Sequence, residues 1–142
     1  MNAVVRRRER IARVRRVEHV QAAVAAQAAE LQLRSLEQSA SRLVELRVSL
    51  TAEAGMTSAD TLSAQGELAY RLDVARFGLS DAIAGARATV RTREDERVEA
   101  RKRQESAVKL GARAVTEAVR PAERRAAAQV RVRAPRPIGG DA

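Results

Sequence analysis

Between residues 4 and 54 the chain contains neither proline nor glycine, a span that leaves room for little except one continuous helix. Ala, Leu, Arg, Glu and Gln dominate it, and these residues lose little side-chain freedom on entering a helix. Apolar residues recur at three- and four-residue steps: Ile11 and Val14, then Val17, Val20 and Val24, then Leu36, Leu43, Leu46 and Leu50. That spacing marks a helix with one buried stripe. The row Val17, Val24, Leu31 does not keep phase with the row Leu36, Leu43, Leu50, so the expected seam drifts around the helix and the coiled coil is discontinuous.

The pattern stops at Gly55. Gly55, Met56, Thr57 and Ser58 read as a turn: a glycine closes the first helix, and Thr57 with Asp60 three residues on resembles a capping box, with Ser58 as the alternative cap. So short a connection favours antiparallel neighbours. The second helix is expected from about residue 58 to Arg120, because Pro121 has no amide hydrogen to donate, with possible continuation to residue 133. Its seam is read from Leu68, Leu72, Ala75, Leu79, Ala82 and Ala86, then Val108, Val115, Val119 and Ala122. Gly78 and Gly85 lie seven apart on one face and either admit another helix or weaken this one. Pro135, Pro137, Gly139 and Gly140 mark a disordered tail over 134–142. The fold class is therefore all-α: an antiparallel two-helix coiled-coil hairpin, one domain over 1–133, with that tail.

Composition supports the hairpin over a globule. One Phe, one Tyr and no Trp stand against thirty Ala in 142 residues. A thick core cannot be filled this way, whereas the narrow seam between two close helices can. Glu30 with Arg34, Glu67 with Arg71, Glu99 with Arg103 and Glu105 with Lys109 stand in the favourable i, i+4 order for exposed helix.

The net charge of +9 is unevenly placed. Residues 1–18 carry +5, residues 19–86 carry −3 and residues 87–142 carry +7. Folding back brings the basic ends together into one positive pole, suited to an acidic protein surface, nucleic acid or anionic lipid.

Catalytic equipment is sparse. Without cysteine, disulfides, thiol chemistry and cysteine-based metal sites are excluded. His19 is the only histidine and has no local metal partner. Glu94, Asp95, Glu96 and Glu99 interleave with Arg91, Arg93, Arg97 and Arg101, an arrangement for mutual neutralisation rather than acid–base work. No phosphate-cradling or dinucleotide glycine motif is present, so no enzyme and no cofactor are expected. Specific nucleic-acid reading is not expected either, since stacking aromatics and zinc ligands are missing. No apolar segment reads as a secretory leader or membrane span, which points to a soluble cytoplasmic protein.

Three places give this hairpin a family resemblance: Arg10, Ile11, Arg13, Val14 and Arg15 opening the first helix; the turn at Gly55, Met56, Thr57 and Ser58; and Ala100, Arg101, Lys102, Arg103, Ala107, Val108, Lys109, Leu110 and Arg113 in the second helix. With them the chain resembles the FliJ family, stalk proteins of the flagellar protein-export apparatus that are related to injectisome stalk proteins. The resemblance implies a non-enzymatic shaft, similar to the rotary ATPase γ subunit, whose terminal end enters a hexameric export ATPase. It also implies contact with a membrane export-gate protein and export chaperones, and a peripheral place at the inner face of the cell membrane. It would put the ring contacts at Arg6, Arg7, Arg8, Arg10, Arg13, Arg15 and Arg16, with Arg113, Arg120, Arg124 and Arg125. Gate contacts would fall at Ser39, Leu43, Leu46 and Leu50 and at Leu68, Leu72, Ala75 and Leu79, unless these form the seam itself. A generic antiparallel coiled-coil adaptor and a small basic nucleic-acid-associated protein are the competing readings.

Overall fold

A computed structural model describes residues 2–52 and 58–133. Asn2 and Ser58 apart, every described residue lies in one of two helices, α1 (Ala3–Ala52) and α2 (Ala59–Arg133). They pack against each other as a helical hairpin. Gly55, Met56 and Thr57 of the expected turn, and the expected tail, lie outside the described residues.

Both helices open on a side-chain cap. The Asn2 side-chain oxygen accepts the Val4 amide hydrogen at 3.1 Å, and its carbonyl takes the first helical hydrogen bond from Arg6. At α2 the Ser58 hydroxyl accepts the Thr61 amide at 3.3 Å while the Ser58 carbonyl accepts that of Leu62. Each cap satisfies amide donors that a helix start otherwise leaves bare. Ser58→Ala should therefore cost about 1 kcal/mol, to be read by urea unfolding followed through helical circular dichroism.

α2 does not end before Pro121; it runs through that residue to Arg133. Proline removes one hydrogen bond and crowds the carbonyl four residues back, but Ala, Glu and Arg on its far side resume the helix at once. α1 begins only at Ala3, and from Val119 to Arg131 every α2 residue is exposed.

Two compact units divide the chain. Unit 1 combines Met1–His19 with Ala100–Ala142, and unit 2 is Val20–Glu99. Within unit 2 the direction of packing is fixed by two ion pairs, Arg47 to Asp73 and Glu37 to Arg87, each at 3.4 Å. Ten residues back along α1 correspond to fourteen forward along α2, which only antiparallel helices allow. Both pairs are exposed at their rims and contribute little stability.

The seam keeps a single phase. From Val5, stepping alternately three and four residues, every α1 position as far as Leu50 is buried or half-buried. In α2 the same holds from Gln65 to Ala118, stepping four and three, with Arg76, Arg93 and Arg97 the exposed members. This is the heptad spacing of a coiled coil, and it corrects the drifting seam expected from sequence. Leu36, Leu43 and Leu50 belong to it, but Val17, Val24 and Leu31 stand outside, Val24 being 61% exposed. An unbroken helix shifts phase only by local over- or underwinding. The phase set by Leu33, Leu36, Leu43 and Leu50 therefore carries through to Val5, and the valine row lands outside.

In α2 the expected seam is half right. Leu72, Leu79 and Ala86 are in it, while their partners are Ala69, Arg76 and Ile83 rather than Leu68, Ala75 and Ala82. In unit 1 the seam takes Ala107, Gly111, Ala114 and Ala118, and the expected Val108, Val115, Val119 and Ala122 are exposed. Among the described residues the buried ones are Val5, Ala26, Ala100, Ala107 and Ala114. Four of these five are alanine, so the most buried part of the seam is built from small side chains.

Candidate docking surfaces

Unit 1 gathers the basic ends. All eleven arginines singled out from sequence as ring contacts fall in it. Arg6, Arg7, Arg10, Arg13 and Arg16 are exposed along α1, and Arg113, Arg120, Arg124 and Arg125 along α2. Arg8 and Arg15 differ, being half-buried at seam positions, and Arg15 pairs with Glu18 at 2.8 Å. Unit 1 holds eighteen Lys and Arg against six Asp and Glu, a net +12, while unit 2 carries −3. A field of one sign this dense attracts an anionic partner over a range set by salt, about 8 Å at physiological ionic strength.

Two members of the acidic cluster, Glu94 and Glu96, pair with arginines of their own helix. Arg93 pairs with Glu96 and Arg97 with Glu94, each at 2.9 Å. Glu67 meets Arg71 at 2.7 Å in the expected i, i+4 order, whereas Glu105 turns to Arg101 at 3.1 Å. His19 is half-buried in an open groove of unit 1 beside Arg101, Gln104 and Val108. Among the described residues no three His, Cys, Asp or Glu are grouped as metal ligands, and no helix is long and apolar enough to cross a membrane.

The eight residues proposed to touch a membrane gate do not form one surface. Leu43, Leu50, Leu72 and Leu79 are half-buried in the seam, and Ser39 is half-buried beside it. Leu46, Leu68 and Ala75 are exposed. The heptad puts these three on the flank opposite to the Arg47–Asp73 and Glu37–Arg87 pairs.

Sequence reasoning passed over a second apolar surface in unit 2. Tyr70 and Phe77, the only aromatic residues of the chain, are 69% and 75% exposed. Val74 lies between them on the same outward side, and Val44 and Val48 are exposed on α1. The signal was available: two aromatics seven residues apart lie on one side of a helix, and neither belongs to the seam rhythm of Leu72 and Leu79. Beside Phe77 runs an open groove lined by Ala40, Ser41, Val44, Ser80, Ile83 and Ala84, with Arg76 and Arg87 at its edges. Large exposed aromatics near a groove of small residues are the kind of feature that anchors protein contacts.

No family model, curated protein or solved structure matches this chain.

Proposed function

We infer that this chain is a non-enzymatic, protein-binding stalk of a flagellar-type export apparatus, with unit 1 seated in the ring of a hexameric ATPase. The observation that carries the reading is the concentration of charge: a helical hairpin whose ends share one unit of net +12. A shaft turning or settling inside a ring is held by charge complementarity along its length rather than by one interlocked pose. Exposed arginines on both helices supply that on more than one side. The resemblance of Arg10, Ile11, Arg13, Val14 and Arg15 and of the 100–113 stretch to the stalk family supports the same role. Unit 2 then meets the export gate and the chaperones at the membrane's inner face, with Leu46, Leu68 and Ala75 the members of the expected gate set that are exposed enough to do so.

ATP hydrolysis by a hexameric export ATPase, measured with and without stoichiometric amounts of the full chain, tests this. The expected result is a several-fold rise in rate together with a shift of the ATPase from smaller species to hexamers. No change in either quantity would sink the stalk reading. Retention on duplex DNA at physiological salt, with a steep salt dependence, would assign the charge of unit 1 to nucleic acid instead.

A further inference from the structure

The aromatic face of unit 2 carries exposed Tyr70 and Phe77 beside an open groove. We propose that a second copy of this chain docks antiparallel across it, with Phe77 of each copy seated in the small-residue groove of the other. This inference is independent of the stalk reading.

The surface carries both a projection and a recess. Phe77 is three-quarters exposed, and two turns along the same side Ala84 opens the groove that it shares with Ser80 and Ser41. A two-fold axis near Ser80 brings residues together whose numbers add to about twice eighty. Phe77 then faces Ala84 of the other copy, and Tyr70 faces Arg91, a ring beneath a guanidinium. One turn away, Asp73 faces Arg87, and Ser80 meets its own counterpart. Large meets small at 77 and 84 and acid meets base at 73 and 87, and each of these matches occurs twice, as an isologous contact requires. Within one copy, Asp73 and Arg87 are held only by exposed pairs at 3.4 Å, so both remain open to a second partner.

Charge and area agree with this occupant. Unit 1, at +12, repels its counterpart, while unit 2 at −3 does not prevent approach, which confines self-association to unit 2. The matched stretch from Tyr70 to Arg91 is about 30 Å of helix. Two helices side by side give it a width of about 20 Å. About 600 Å2 per copy reaches the lower bound of a specific interface, so a dimer with micromolar affinity is the expected product.

Sedimentation equilibrium of the full chain between about 1 and 200 µM tests the proposal, with helical circular dichroism as the control for folding. The wild-type chain should show a reversible monomer–dimer equilibrium, and Phe77→Ser should weaken it about thirty-fold or more, as loss of a central aromatic anchor does. Asp73→Arg and Arg87→Asp should each weaken it as well. An equimolar mixture of those two variants should regain the wild-type affinity, because every 73–87 contact in the mixed dimer is again between opposite charges. The intramolecular pairs to Arg47 and Glu37 are not restored by mixing, so recovery reports the contact between copies alone. A chain that stays monomeric throughout, a dimer indifferent to Phe77→Ser, as when two copies exchange helices, or a mixture without recovery would each overturn it.

Discussion

Ala107→Lys is expected to destabilise the hairpin by about 3 kcal/mol or more, while Val108→Lys, one residue on, stays within about 0.5 kcal/mol of wild type. Ala107 is 6% exposed and Val108 is 54% exposed. Lysine at Ala107 forces an ammonium group into a buried position of the seam, in a unit that already carries +12. At Val108 the same group reaches solvent directly and adds the same formal charge, so the pair of variants separates seam position from long-range repulsion. Urea unfolding monitored by helical circular dichroism reads both. A larger loss at Val108 than at Ala107 would restore the register read from sequence, with Val108, Val115 and Ala122 inside.

The opposite sign is expected at the glycines. Gly66, Gly78, Gly85 and Gly111 all lie within α2, and apart from its chain neighbours and the adjoining helix backbone a Cβ added at any of them meets no atom within 4 Å. Each Gly→Ala change reduces the conformational freedom of the unfolded chain and should stabilise by about 0.8–1 kcal/mol. The four sites are spread along the helix without shared neighbours, so the effects should add to roughly 3–4 kcal/mol in the quadruple variant. No helix of this chain makes use of the space at Gly78 and Gly85, so of the two sequence readings the structure favours local weakness. Thermal unfolding checks this, and a loss of stability on substituting any of the four would show that the open space is needed.

The two-helix architecture was legible because its signals are local. An uninterrupted run of helix formers, a break at Gly55 and a shortage of aromatics each point to a hairpin without reference to tertiary contacts. The register was not legible. Val and Leu are the larger apolar side chains, and ranking by size placed Val17, Val24, Val108 and Val115 in the seam; the helices instead meet through Ala22, Ala26, Ala29, Ala100, Ala107 and Ala114. Alanine is equally at home inside and outside a helix, so its presence at a position carries no phase. Phase had to come from Leu33, Leu36, Leu43 and Leu50 and be extended rigidly, which the assumption of a drifting seam prevented. Pro121 left the end of the second helix open in the sequence, and of the two ends considered the structure takes the later one, because the favourable residues around the proline keep the helix going to Arg133.

The basic surface was readable as charge along the chain, because folding back of the two ends is all that is needed to gather it. Which residues stand on it was only partly so. Arg8 and Arg15 fall on the seam through the same heptad that half-buries Ala12, and no count of charges distinguishes them from Arg7 and Arg16. The apolar surface went unread for a related reason. Attention to leucine spacing selected the seam residues Leu72 and Leu79, while Tyr70 and Phe77, in a different phase of the same helix, carry the exposed area.

If unit 1 engages an ATPase ring through its exposed cations, reversing charge there and reversing the same charge in unit 2 must have different effects. Stimulation of the export ATPase is measured for the wild-type chain, for a variant with Arg6, Arg10 and Arg13 changed to Glu, and for a variant with Arg42, Arg71 and Arg91 changed to Glu. Both variants lower the net charge by the same six units, but only the first alters unit 1. The predicted result is loss of most of the stimulation in the first variant and its retention in the second. Equal stimulation by the two, or loss only in the second, would contradict engagement through unit 1.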